Sequence, residues 1–126
     1  MPPDRPEVLL RKSRQDEIVL QKLLGDREVD DDTLGFHAQQ AAEKMIKAVL
    51  ASRGVDYPKT HNLRVLIELL AKDGVQLPGG LSEINRLTQF GTTFRYDNFE
   101  PVPAGERFKW LESIQNLRAF LEPLLR

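Results

Sequence analysis

The chain has 126 residues, enough for one domain with a single buried core and too few for two ordinary ones. Lys and Arg total 18 against 19 for Asp and Glu, and the net charge of -1 disfavours RNA or DNA binding driven by charge alone. No cysteine is present, which excludes disulfides, thiolate metal sites and cysteine nucleophiles, and two histidines, His37 and His61, are too few for a multi-histidine metal cage. The Met-Pro-Pro-Asp-Arg-Pro start leads into no apolar signal region, and no run approaches the ~18 apolar residues of a membrane span, so a cytoplasmic location is expected.

The first predicted helix runs from Pro6 to Leu24 and stops at Gly25. Leu9, Ser13, Asp16, Leu20 and Leu23 recur at helical spacing, a mostly apolar stripe interrupted by Ser13 and Asp16. The acidic run Asp30-Asp31-Asp32 follows, with Thr33 as the expected N-cap; negative charge suits the positive end of a helix and does not by itself hold a metal. The second helix, Leu34 to Arg53, is apolar over most of its girth through Ala38, Ala41, Ala42, Met45, Ile46, Ala48, Val49 and Leu50. A helix of that kind is surrounded by others, which predicts the central member of a bundle. Gln40, Glu43, Lys44 and Lys47 crowd into one narrow arc, with Phe36 among them.

Residues 56–62 read as a loop, and Thr60 or Asn62 can start a third helix that carries Leu63, Leu66, Ile67 and Leu70 and stops at Gly74. A fourth helix is expected from Ser82 to Gln89, with Ile84 and Leu87 inward, then an ambiguous stretch from Gly91 to Phe99. The last helix is predicted from Ala104 to Leu125, its inward face made by Phe108, Leu111, Ile114, Leu117 or Arg118, and Leu121. No strand alternation or internal repeat is found, so the fold class is all-α, a single-domain bundle of about five helices.

Enzyme templates do not match. A phosphate loop, a dinucleotide-binding glycine pattern, a His-Glu-x-x-His pair and a nucleophile elbow are all missing, and no metal or cofactor is expected. Three features stand out. The polar arc Gln40, Glu43, Lys44, Lys47 reads from periodicity as a solvated face. Asp16 on an apolar stripe needs a cationic partner such as Lys47 or Arg95, or a place at the rim that reaches water. Arg95, flanked by Phe94 and Tyr96 in the run to Phe99, is either a structural ion pair at a helix end or a guanidinium offered to a phosphate, with Tyr96 as a stacking face.

The run Phe36-His37-Ala38-Gln39-Gln40-Ala41-Ala42-Glu43-Lys44-Met45-Ile46-Lys47-Ala48 resembles the signature helix of HEPN domains. Thr60-His61-Asn62-Leu63 follows at the expected distance, Arg95-Tyr96-Asp97 has its counterpart there, and the resemblance covers essentially the whole chain. The family is named for nucleotide binding in higher eukaryotes and prokaryotes. The resemblance implies a helical bundle, usually a homodimer, often acting with a minimal nucleotidyltransferase in a toxin–antitoxin-like pair. Many members are metal-independent ribonucleases that carry an Arg, then four to six residues, then a His. That motif is missing here: the matching positions hold Asp30, Asp31 and Asp32 before His37, and Gly54, Val55 and Asp56 before His61.

The missing motif places the chain nearer the non-catalytic subgroup, as an accessory subunit that binds a nucleotide or a partner. The alternatives are an interaction module without a small ligand, or a ribonuclease with an unconventional site using His61 and Arg95. The expected nucleotide- or partner-binding residues are Asp16, Gln40, Glu43, Lys47, His61, Arg95, Tyr96 and Asp97. Asp16, Lys47 and Arg95 are expected to converge in one cationic pocket near Glu43 and Tyr96.

Overall fold

A computed structural model describes residues 5–91, 102–103 and 105–125. All regular structure among them is helical: α1 (Pro6–Leu23), α2 (Asp31–Ser52), α3 (Leu63–Lys72), α4 (Thr88–Gly91) and α5 (Glu106–Leu121). Two 3-10 segments, Leu81–Leu87 and Glu122–Leu125, run directly into α4 and out of α5. The fold is an all-α bundle. Among the described residues no helix is long and apolar enough to cross a membrane.

α2 is the axis. It touches every other helix and both 3-10 segments. Ala38, Ala41, Ala42 and Ala48 are fully buried, and their small side chains let neighbouring backbones approach while Leu34, Met45, Ile46, Val49 and Leu50 fill the space between. α1 packs antiparallel along it, Leu9 and Leu20 inward. α3 adds Leu63, Leu66 and Leu70, and α5 adds Trp110, Ile114, Leu117 and Leu121. Each such large side chain contributes roughly 1.5–3 kcal/mol of burial.

Local signals set the ends. α2 begins at Asp31, three residues ahead of the expected Leu34, with Asp30 and not Thr33 at the N-cap position, so Asp31 and Asp32 occupy the electropositive first turn. Arg107 of α5 clamps this entrance, donating from Nε to Asp31 Oδ1 (2.5 Å), from Nη1 to the Asp26 carbonyl (3.1 Å) and from Nη2 to the Val29 carbonyl. Gly54 closes α2 in the left-handed region (φ 71°), which lets Val55 N–H donate back to the Leu50 carbonyl at 2.9 Å. Asn62 caps α3, its side chain accepting from Arg64 N–H at 3.0 Å.

Two expectations are corrected. Phe108 does not point inward; it is 59% exposed, and the buried stripe of α5 starts instead at Trp110 and repeats at Ile114, Leu117 and Leu121. Trp110 takes that place because its ring meets Phe90 of α4 edge-on, centroids 5.3 Å apart. The expected fourth α-helix is mostly a 3-10 segment, Leu81–Leu87, with only Thr88–Gly91 in α form.

Candidate functional site

The polar residues of α2 are not a free solvated face. Glu43 is 4% exposed, Gln39 is fully buried, and Gln40, Lys44 and Lys47 are half-buried. They divide into two clusters on either side of Gln40.

The first joins α1 to α2. Ser13 Oγ donates to the Ala41 carbonyl at 2.7 Å, which fixes the register of the two helices and brings Asp16 opposite His37. Asp16 Oδ1 lies 2.9 Å from His37 Nδ1, and Oδ2 accepts from Lys44 Nζ at 2.6 Å. The expected Asp16–Lys47 pair therefore does not form. Lys47 lies about 60° further round the helix than Lys44 and is engaged elsewhere. Ser13 is explained by the same interface: Arg118 of α5 donates to its hydroxyl (3.1 Å) and to Glu17 (2.6 Å), while Arg14 reaches Glu17 from the other side (2.5 Å).

The second cluster joins α2 to the loop before α3. Glu43 Oε2 accepts from Lys47 Nζ at 2.9 Å. Glu43 Oε1 receives Gln39 Nε2 at 2.9 Å and faces His61 Nδ1 at 2.8 Å. Gln39 Nε2 also donates to the His61 carbonyl (2.8 Å), and Gln39 Oε1 accepts from Gln40 Nε2 (2.7 Å), so every polar atom of the buried amide is used. Burial pushes the Glu43 carboxyl up, but hydrogen bonds from Gln39, Lys47 and His61 outweigh it and hold the group below its ordinary value. Lys47 Nζ also stands 5.5 Å from the Tyr57 ring centroid.

Two glycines allow this arrangement. Gly35 of α2 lies beneath the Phe90 ring, and Gly91 of α4 lies against the end of Gln39: a Cβ there would meet the three terminal amide atoms at 2.3–2.6 Å. Thr88 Oγ1 accepts from Leu63 N–H at 3.1 Å, tying α4 to the start of α3 just after His61.

The structure thus brings Gln40, Glu43, Lys47 and His61 together and separates Asp16 from them, on the other side of Gln40. Arg95, Tyr96 and Asp97 lie outside the described residues. The cationic pocket expected from Asp16, Lys47 and Arg95 is not formed by its described members, since each lysine of the arc is matched by its own carboxylate. Sequence reasoning missed Gln39 and His37 as members of these clusters, and it placed Lys44 in the arc without pairing it with Asp16. Gln39 carried one signal, a position four residues before Glu43 on the same helix. Among the described residues no group of three or more His, Asp or Glu could hold a metal ion.

The run that resembles the HEPN signature lies on the central alanine-rich helix α2, and the start of α3 brings His61 to it. The family model of the HEPN domain matches residues 6–126, and the chain belongs to that family. Among solved structures it is similar to TT1696 from Thermus thermophilus, known from a crystal structure, with 30% identity and a TM-score of 0.73 over 96% of this chain and 98% of that one. No protein with a curated description matches it.

Proposed function

We propose that this chain is an accessory HEPN subunit that binds a nucleotide or a partner protein through the polar arc of α2, as a homodimer working with a minimal nucleotidyltransferase in a toxin–antitoxin-like pair. One observation carries the reading. The arc is ordered from beneath by buried hydrogen bonds, yet it opens outward through His61, whose side chain is 53% exposed, beside half-buried Gln40 and Lys47. Ordering polar side chains costs conformational entropy, and a surface prepared in that way suits recognition. The family supports the nucleotide and nucleotidyltransferase parts, and the missing Arg–His motif argues against ribonuclease activity.

Co-expression with a nucleotidyltransferase from a neighbouring reading frame tests the partnership. Co-elution at a defined stoichiometry is expected, and separate elution counts against it. Light scattering at micromolar concentration should give twice the monomer mass.

A second reading, an interaction module without a small ligand, is favoured by the pairing of Lys44 and Lys47 within the chain, which leaves neither ammonium uncommitted. Under that reading nucleotides leave the melting temperature unchanged while the oligomer persists.

A further inference from the structure

Three groups meet Glu43, and their chemistry fixes which way His61 faces. The Gln39 amide presents N–H to both of its neighbours, since the Glu43 carboxylate and the His61 carbonyl can only accept, and its oxygen takes the Gln40 amide. The Lys47 ammonium at the other carboxylate oxygen favours the ionised form of Glu43. A carboxylate has no proton to give, so in the neutral imidazole the proton sits on His61 Nδ1 and the lone pair on Nε2. The ring belongs to a half-exposed side chain, with its Nδ1 edge turned toward the buried carboxylate.

Charge decides what that lone pair meets. Among the described residues of the arc, Lys47 is 2.9 Å from Glu43 and Lys44 is 2.6 Å from Asp16, so a phosphate that binds through either of these ammoniums would have to take it from a largely buried carboxylate. An uncharged donor faces no such competition.

We infer that the Gln39–Glu43 network holds His61 with Nε2 outward as a fixed hydrogen-bond acceptor, so that this site takes an O–H or N–H donor from the uncharged part of its ligand and not a phosphate. Gln39 is the positioning residue, fixing both the His61 backbone and the carboxylate that orients the ring. The ligand class rests on the nucleotide reading proposed above; the orientation of the ring does not.

Long-range proton–nitrogen NMR correlations at about pH 8.5, above the ordinary imidazole range, read the orientation directly. His61 is expected as the Nδ1–H form in the unmodified chain. Gln39→Met keeps the volume packed on Gly91 and removes both amide groups; it should erode that preference at His61 and leave the pattern of His37, which uses Asp16, unchanged. A His61 ring protonated on Nε2, or a Gln39→Met spectrum identical at His61, overturns the inference. If Gln39→Met does not fold, Glu43→Gln supplies the same comparison, and an unaltered His61 signal there has the same force.

Calorimetry with the four ribonucleosides and their 5′-monophosphates tests the ligand class. A nucleoside and its monophosphate should bind within about threefold of each other, and His61→Ala should weaken both by about tenfold or more. Binding of monophosphates alone overturns the ligand class and leaves the nucleotide reading standing. Binding of neither overturns both, while the NMR result stands by itself. A panel that includes 2′,3′-dideoxynucleosides identifies the donor: their loss of binding assigns a ribose hydroxyl, their retention a base N–H, and either agrees with the inference.

Discussion

On the two sides of α2 the chain builds a similar unit twice, a carboxylate that spans one histidine and one lysine. Asp16 spans His37 and Lys44, and Glu43 spans His61 and Lys47. They differ in what stands behind the carboxylate and how the ring faces solvent. Asp16 comes from a neighbouring helix and has only the two rim groups as side-chain partners among the described residues, and its histidine side chain is 27% exposed. Glu43 is more deeply buried, is backed by the fully enclosed Gln39 amide, and holds a histidine twice as exposed. A pair at a helix–helix rim fastens two helices. A pair with a buried amide behind it and an open ring in front is the one to which the proposed function gives the ligand.

Glu17 gives the reference for a carboxylate that only fastens. Its side chain is 3% exposed and is held by Arg118 and Arg14, while His37 and His61 pair with other carboxylates. Glu17→Ala leaves Arg118, 13% exposed, without its carboxylate, and should cost about 3–5 kcal/mol in urea denaturation. Next in size is Gly91→Ala. The added Cβ strikes the Gln39 amide, and overpacking of this kind should cost about 1–3 kcal/mol. It should also disturb the Glu43 side selectively, with His61 chemical shifts moving more than those of His37.

pH sharpens the contrast further. The folded value of the Glu43 carboxyl lies below its ordinary 4.5, so its contribution to stability is fully present above that value and is lost as pH falls through the folded one. Glu43→Gln removes this dependence. The melting-temperature gap between the unmodified chain and Glu43→Gln should therefore be widest near neutrality and narrow below about pH 4.5. The smallest effect belongs to His61→Ala. A half-exposed side chain at a loop end should change stability by no more than about 1 kcal/mol in the same denaturation assay, although it removes the outward ring entirely.

Much of the fold was legible in the sequence because its determinants are local. Gly54 and Gly74 end their helices where expected, Asn62 caps α3, and the alanines of α2 mark it as the helix the others surround. The misread register of α5 has a physical origin. The stripes that begin at Phe108 and at Trp110 share Ile114, Leu117 and Leu121, and only Phe90, on a different helix, decides for Trp110. The 3-10 form of Leu81–Leu87 left no mark in an apolar pattern that fits either helix type.

For the site, Glu43, Lys47 and His61 were legible through the polar arc and the family resemblance. Gln39 was not, because it lies on the buried side and its meaning comes from a carbonyl 22 residues onward and a glycine on α4. Asp16 was correctly read as needing a cation, and the wrong lysine was named because the phase of one helix against another is set by contacts such as Ser13 to Ala41, which no single-helix pattern contains.

Under the proposed function the Glu43 side of α2 binds and the Asp16 side fastens. Calorimetric titration of ribonucleosides and their 5′-monophosphates into the unmodified chain, His61→Ala and His37→Ala, each checked for retained fold, tests it most directly. The account predicts that His61→Ala loses about tenfold or more in affinity while His37→Ala stays within about threefold of the unmodified chain. Equal losses in the two variants, or a loss confined to His37→Ala, would contradict it.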